Sequence, residues 1–189
     1  IGERAFGNCI KLTAIHFPDS VTTIGVRAFE ECVSLTEITI PNSVTSVGDE
    51  AFVFCKKLEA AEIGITSTNI GKKVFAHCYE LTEVTFTDGA VCVGDQMFEY
   101  CTALAQVHLP DTLTRIGREA FIYCRALSQI TIPNSVTTID GGAFTECMAL
   151  ESIVVPDSVT ELGNCVFSTC TALKSATLSN SLTKIPRGL

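Results

Sequence analysis

Apolar and polar positions recur along this chain at a fixed period of 23 residues, without insertion or deletion. The unit is clearest in the stretch from Ile116 to Thr138. An apolar residue opens each unit, Phe is always sixth, Cys ninth and Leu twelfth, and the openers are Ile1, Ile24, Val47, Ile70, Val93, Ile116, Ile139, Leu162 and Ile185. One unit cannot bury its own apolar face, so the period predicts a solenoid of stacked coils.

Each unit divides into segments with different periodicity. Residues 35–41 alternate apolar and polar after their first Leu and are rich in β-branched residues, which predicts a strand with one buried face. Pro41 ends the strand, residues 42–43 supply turn chemistry, and residues 44–47 predict a shorter extended segment. Acidic residues followed by apolar residues at helical spacing in 49–55 predict one or two turns of α- or 3₁₀-helix. The predicted fold class is therefore an α/β repeat solenoid with a parallel sheet.

Length and charge narrow the organisation and the partners. A continuous repeat predicts one elongated domain, residues 1–189, with about eight units. Since the chain begins and ends inside a unit, we expect a monomeric fragment of a longer array. A net charge of −8, with scattered basic residues, argues against nucleic acid, and apolar runs too short to span a bilayer argue against membrane insertion.

Ten cysteines raise the question of disulfides or metal. Eight of them form one column, in which equivalent atoms of neighbouring coils should lie roughly 4.8 Å apart, farther than disulfide geometry prefers. We therefore predict a reduced, buried ladder, since free Cys packs as a small hydrophobe. Cys92 and Cys165 lie outside the column, at positions predicted to be on the surface. No CxxC pair or Cys-His spacing indicates zinc.

Catalytic and cofactor motifs are not found in the sequence. His16 and His108 share a column but stand four coils apart, on the order of 19 Å, which is too far for them to act together. His77 belongs to a different column. No phosphate-binding glycine loop, HExxH or GxSxG sequence is present. We predict a protein that is not an enzyme and has no cofactor, metal site or catalytic residue.

Two surface columns are candidates for binding a partner. On the outer face of the predicted sheet, an acidic patch comprises Glu37, Glu59, Glu62 and Glu83. One position before the cysteines, an aromatic column runs through four consecutive coils and comprises Phe54, His77, Tyr100 and Tyr123. Exposed aromatic side chains are enriched at protein interfaces, whereas rings folded between the turns would be packing. Both interpretations of the aromatic column remain open.

The pattern IGxxAFxxCxxLTxIxIPxSVTx resembles the BspA-like class of leucine-rich repeats over the whole chain. The resemblance implies a right-handed leucine-rich-repeat superhelix, with the parallel sheet on its concave side. It also implies a cell-surface or secreted protein that adheres to host or cell-surface proteins, and less readily to glycans. A structural spacer or stalk is the alternative function. A parallel β-helix is the rival fold, with strands on two or three faces and no helical turn in the AFxxC segment.

The middle of the chain departs from the pattern. The Pro-Asx-Ser-Val segment is replaced in residues 64–67 and 87–90, and Ala61 stands where Ile or Val is usual. We expect these two coils to lose core volume, either through decay of the repeat or to form a functional kink. Amide exchange should then be faster in residues 58–92 than in 116–160.

Overall fold

The computed structural model describes residues 1–188, in which the chain winds into coils that stack with an offset of 23 residues. These residues contain twelve strands and no helix. The strands are β1 (Thr23–Ile24), β2 (Glu37–Ile40), β3 (Ser46–Val47), β4 (Ala60–Ile63), β5 (Glu83–Phe86), β6 (Cys92–Val93), β7 (Gln106–His108), β8 (Arg115–Ile116), β9 (Thr138–Ile139), β10 (Ser152–Val154), β11 (Glu161–Leu162) and β12 (Ser175–Thr177).

The longer strands form the predicted parallel sheet. Strands β2, β4, β5 and β7 are neighbours in that order, and Glu37 pairs with Ala60, which pairs with Glu83. Strands β10 and β12 continue the same positions of the repeat as a separate pair. Exposed and buried residues alternate along β2 and β4, so the prediction of one buried face is confirmed. We call the outer side the long-strand face.

The shorter strands form a second parallel stack, which is interrupted. Strands β6, β8, β9 and β11 make one sheet, whereas β1 pairs with β3 and Val47 forms only a single bridge to Ile70. A recurring backbone hydrogen bond joins the amide of the residue after the opener to the carbonyl oxygen of the opener in the preceding coil. Gly71 N donates to Val47 O at 2.7 Å, and Gly117 N donates to Val93 O at 2.9 Å. Among residues 1–188 no such bond joins Gly94 to Ile70. The stack is therefore open between these two coils.

The predicted helical turn is wrong. From the second to the ninth position, each unit instead forms consecutive turns, illustrated by Cys32 N donating to Phe29 O at 3.2 Å. Alternate amides bond the next coil, as when Phe29 N donates to Ala51 O at 2.8 Å. Left-handed residues stand at the fourth and eighth positions, including Arg27 at φ 53° and Glu31 at φ 56°. Because a right-handed helix cannot pass through left-handed residues, the amides alternate between closing a turn in their own coil and bonding the next coil.

The core is a stack of identical side chains. The eight Phe rings form seven stacked pairs, with ring centroids 5.0–5.8 Å apart and planes within 13° of parallel. Phe98 lies 5.7 Å from Phe75 and 5.5 Å from Phe121, as stacking of successive coils requires. The aligned Leu and Cys columns complete one continuous hydrophobic cluster.

All ten cysteines are free thiols, and seven of the eight in the column are buried. Each buried column thiol donates to the carbonyl oxygen of a Phe in the preceding coil, as Cys78 Sγ does to Phe52 O at 3.4 Å. Cys9, in the first coil, is exposed. The prediction of a surface position holds for Cys165 but is wrong for Cys92, which is only 4% exposed. Both residues of β6 are buried, whereas the first residue of the equivalent strands β1, β3, β8, β9 and β11 is exposed or half-buried.

The two coils in the middle retain more core than their sequences indicate. Ile65 is buried at 1% exposure and contributes the apolar volume that the Val of Pro-Asx-Ser-Val supplies elsewhere. Phe86 is also buried, and its ring packs edge-on against Phe98 at 6.1 Å. The predicted loss of core volume is therefore offset at these two side chains.

Candidate functional site

The four rings of the aromatic column stack face to face across four coils. The Phe54 and His77 centroids are 4.6 Å apart, and those of His77 and Tyr100 are 5.0 Å apart. Tyr100 and Tyr123 are closer, at 4.2 Å, and all three pairs lie within 16° of parallel. Each ring is half-buried. The column therefore combines the two interpretations left open by the sequence, since its ring faces pack while the rest of each ring contacts solvent.

The backbone of the turn segment places these rings. Each ring belongs to a left-handed residue, with φ between 60° and 64°. The amide of each also donates to the next coil, as His77 N does to Glu99 O at 2.8 Å. A φ in this region is uncommon for a bulky residue and persists only where the surrounding structure holds it. The bonds between coils thus fix the direction and spacing of the rings.

Polar groups surround the column. The Tyr79 hydroxyl lies 3.0 Å from His77 Nδ1, and Lys73 Nζ lies 3.0 Å from Glu99 Oε2. At the far end the Arg125 guanidinium carbon is 5.7 Å from the Tyr123 ring centroid. Sequence reasoning missed Tyr79 and Arg125, both two residues after a ring of the column. The signal available was the aromatic or cationic residue at that position in two coils.

Burial and neighbours shift two pKa values in the column. Burial lowers the pKa of His77, and the nearby Glu99 carboxylate only partly opposes this. The imidazole is therefore favoured in its neutral form, which suits a ring stacked between two aromatic neighbours. The pKa of Tyr123 is raised, first by its interaction with the Tyr100 hydroxyl. Both changes favour uncharged rings near neutral pH.

The acidic patch lies on the long-strand face, and all four carboxylates are exposed. Glu37 and Glu83 both pair in register with Ala60, so they stand two coils apart, about 10 Å by strand spacing. Glu83 Oε1 is 3.5 Å from His108 Nε2. Within residues 1–188 the other three form no ion pair. Exposed carboxylates produce a negative field that is screened over about 8 Å at physiological salt.

The structure does not bring the two candidate surfaces together. The acidic patch occupies positions thirteen to sixteen of the repeat and the aromatic column position eight, and the buried Cys and Leu columns lie between them. In the described part of the chain no hydrogen bond or ion pair joins them. They are two surfaces that a partner would contact separately or by reaching around the coil.

A groove elsewhere on the surface has a volume of about 770 Å³ and is lined by Arg115, Asp140 and Cys165, among others. Arg115 bonds Asp95 of its own unit at 2.7 Å and Asp140, two units farther along the chain, at 2.6 Å. Burial alone would lower the pKa of Arg115, but the two carboxylates raise it. The guanidinium is thus paired with two carboxylates of its own chain and links coils.

The described residues form neither a metal-binding cluster nor a membrane-spanning helix. Across residues 1–188 no group of three or more His, Cys, Asp or Glu side chains is arranged to hold a metal ion. The same residues include no helix with the length and hydropathy needed to cross a bilayer.

Parallel strands in fixed register, an aligned leucine column and an exposed sheet face define a leucine-rich-repeat solenoid. The chain belongs to the BspA-type leucine-rich repeat family, whose model matches residues 1–105 and 91–189 with six copies. Strands on two faces and the lack of a helical turn were the features expected of a β-helix, yet both occur here. These two features therefore do not distinguish a leucine-rich-repeat solenoid from a β-helix. The match to the family model does distinguish them.

Solved structures of bacterial leucine-rich repeat proteins have the same fold. A protein from Bacteroides ovatus is 28% identical with a TM-score of 0.68, over 93% of this chain and 57% of its own. A leucine rich cell surface protein from Faecalibacterium prausnitzii is 32% identical with a TM-score of 0.58, over 99% and 66%. The T. pallidum leucine rich repeat protein, at 24% identity and a TM-score of 0.64, covers 92% and 70% and shows likeness of fold alone.

The chain therefore spans less than two thirds of the length of the first two of these proteins. Comparison with curated proteins gave no match. Solenoids of this family and fold are typically non-enzymatic and mediate protein interactions.

Proposed function

We propose that the chain is a non-enzymatic, adhesion-type module of a cell-surface or secreted protein, and that it binds a partner protein through the aromatic column. The observation that carries the proposal is a half-exposed stack of four rings that continues without a break over four coils. The description of the F. prausnitzii protein as a cell surface protein supports the location.

The stacking favours a protein partner over a glycan. Sugars bind aromatic residues through open ring faces, and here the inner faces are covered by neighbouring rings at 4.2–5.0 Å. A partner protein can still contact the ring edges, the two Tyr hydroxyls and the His77 ring. Tyr side chains of this kind are enriched among the residues that dominate protein interfaces, because they bury large area at small entropic cost.

The acidic patch has a second role in this proposal. If the long-strand face is concave and the superhelix right-handed, as the family resemblance implies, its four carboxylates line the inner side of the curve. They then attract a partner with a basic surface and raise the association rate, an effect that falls with ionic strength. The aromatic column on the outer side supplies the affinity.

The test is capture of proteins from host matrix and cell-surface fractions by the immobilised chain, followed by measurement of Kd for each captured protein. We expect the double variant Tyr100→Ala/Tyr123→Ala to bind at least tenfold more weakly while keeping its fold. The matched control Thr131→Ala/Thr177→Ala changes two exposed residues of the long-strand face and should bind as the original does. Equal binding by all three chains would refute the proposal.

Thermal unfolding of the same variants separates binding from packing. A loss of several kcal/mol in the free energy of unfolding of the Tyr100→Ala/Tyr123→Ala variant would assign the rings to the core. The alternative function, a spacer or stalk, is favoured by the uninterrupted phase of the repeat, since length then simply adds coil by coil. It predicts that no captured protein distinguishes the variants.

A further inference from the structure

One end of the aromatic column contains a complete cation site formed within the chain. The Arg125 guanidinium carbon lies 5.7 Å from the Tyr123 ring centroid, and an Arg125 nitrogen lies 3.8 Å from Glu146 Oε2. That carboxylate oxygen is buried and has no hydrogen-bond partner among residues 1–188. Glu146 occupies the same column as Tyr123, one coil farther on. This cation site therefore consists of three groups: the Tyr123 ring, the Glu146 carboxylate of the adjacent coil and the Arg125 guanidinium.

The other end of the column has two of these three groups, an aromatic ring and a carboxylate in the adjacent coil. His77 covers one face of Phe54 at 4.6 Å, and in the described part of the chain no other ring and no cation stacks on Phe54. The residue of the same column in the adjacent coil is Glu31, which is exposed and forms no ion pair within residues 1–188. Glu31 N donates to Val53 O at 2.9 Å, which fixes this carboxylate-bearing residue against the coil of Phe54.

The third group is not in place at this end. Arg125 stands at the tenth position of the Tyr123 unit. At the other end the tenth residue of the Glu31 unit is Val33, which carries no charge, and that of the Phe54 unit is Lys56. Lys56 forms no ion pair and no cation–π contact within residues 1–188, and Arg27 is already paired with Glu50 at 2.7 Å. In the described residues no cation of the chain therefore occupies this ring and carboxylate.

We propose that Glu31 and Phe54 bind an arginine side chain of the partner protein, in the manner in which Tyr123 and Glu146 hold Arg125. The inference rests on the proposed function and specifies the chemistry of the partner at one end of the column. A guanidinium is planar, weakly hydrated and always charged, so it stacks on the ring while facing the carboxylate. Lysine carries the same charge but cannot stack as a plane. The net charge of −8 favours the approach of a basic segment.

The experiment is a titration of the isotope-labelled chain with a short Gly-Arg-Gly-Arg-Gly peptide, followed by NMR. We expect saturable shifts of the Glu31 and Phe54 amides and at least threefold weaker binding of the Gly-Lys-Gly-Lys-Gly peptide. Phe54→Leu and Glu31→Gln should each weaken binding by roughly fivefold, as expected for loss of a surface cation–π contact or charge. Glu161→Gln removes the same charge from an exposed residue outside both candidate surfaces and should change Kd by less than twofold.

A further variant supplies the missing cation from within. Val33→Arg places a guanidinium at the position of Arg125 and should abolish the shifts at Phe54 without unfolding the chain. The proposal is overturned if the peptide leaves Glu31 and Phe54 unshifted, if both peptides bind equally, or if Glu161→Gln weakens binding as much as Glu31→Gln. These outcomes do not affect the capture test, which depends on Tyr100 and Tyr123, so the two proposals can fail separately.

Discussion

The cysteine column shows how one residue type can serve several requirements at once. A buried column thiol is small enough to pack in the same apolar core as the Phe stack, and its S–H donates to a Phe carbonyl oxygen at 3.2–3.4 Å. That same oxygen accepts an amide from its own coil, as Phe29 O does from Cys32 N. A weak donor of low polarity is well suited to sharing an occupied acceptor in an apolar core.

Alkaline pH should destabilise the chain through these thiols. Burial raises the pKa of Cys32 and Cys170 from the ordinary 9.0 to about 11, and burial also raises the pKa of Cys55 and Cys78 well above 9.0. The folded state therefore keeps protons that the unfolded state releases. The stabilisation is complete below pH 9 and is lost as pH rises towards 11 and above. We expect the urea midpoint to be level from pH 7 to 8.5 and to fall beyond pH 9.

The matched control for this prediction is the double variant Cys78→Ala/Cys101→Ala. It should be less stable at pH 7, because two buried side chains are truncated, yet its urea midpoint should decline less steeply above pH 9. A midpoint that stays level to pH 10.5 in the original chain would contradict the assignment of the decline to the thiols.

At the level of elements, the turn segment and the short strands determine how closely coils approach. Gly71 lies so near the preceding coil that an added Cβ would be 2.3 Å from Asp49 N. Gly94 occupies the same position one coil later, but there an added Cβ would meet Ile70 Cγ2 at 3.0 Å, a side chain rather than backbone. The difference agrees with the opening of the short-strand stack between Ile70 and Val93.

This geometry predicts unequal effects of one substitution at two equivalent glycines. Gly71→Ala forces two backbones apart and should lower the free energy of unfolding by about 1–3 kcal/mol, as overpacking does. At Gly94 an added Cβ would meet the Ile70 side chain at 3.0 Å and the Gly71 carbonyl oxygen at 3.3 Å, which is less crowded than at Gly71, so Gly94→Ala should cost less. Urea denaturation of both variants measures the difference, and equal losses would mean that the coils are evenly spaced.

The elements also show what sequence patterns can and cannot predict. Alternation along residues 35–41 and the periodic Phe column were sufficient for the strand and the core, because both depend on burial alone. The prediction failed for the turn segment because the apolar spacing in 49–55 also fits a helix. The left-handed residues of this segment are Glu50 and Phe54, and neither residue type signals a positive φ. The aromatic column followed from the period, whereas the contact of Arg125 with Tyr123 depends on side-chain conformation that no pattern records.

For the whole molecule, stability is a sum over coils and the contacts between neighbours. The Phe stack changes spacing at its middle, from 5.0 Å between Phe52 and Phe75 to 5.7 Å between Phe75 and Phe98. The short-strand opening falls between the same two coils, 70–92 and 93–115. The long-strand sheet is interrupted elsewhere, at residues 129–131, which form no ladder. Coupling along the solenoid is therefore weakest where the openings lie.

Native-state hydrogen exchange should map this coupling. The expectation that residues 58–92 exchange faster than 116–160 now applies most directly to the short strands. The amides of Val91 and Gly94 have no backbone acceptor in the described residues, whereas Thr114 donates to Val91 O at 2.9 Å and Gly117 to Val93 O at 2.9 Å. We expect exchange at Val91 and Gly94 to be at least tenfold faster than at Thr114 and Gly117. Equal protection of these four amides would mean that the short-strand stack is not open between these two coils.

The fixed register of the coils also bears on how such a surface can change over generations. Every coil presents the same core to its neighbours, whatever side chain stands at the eighth position. Duplication or deletion of a whole 23-residue segment would therefore lengthen, shorten or slide the run of rings by one step of about 5 Å without disturbing the interior. Ligand preference in this architecture can drift by copying of gene segments, with no need to redesign the fold.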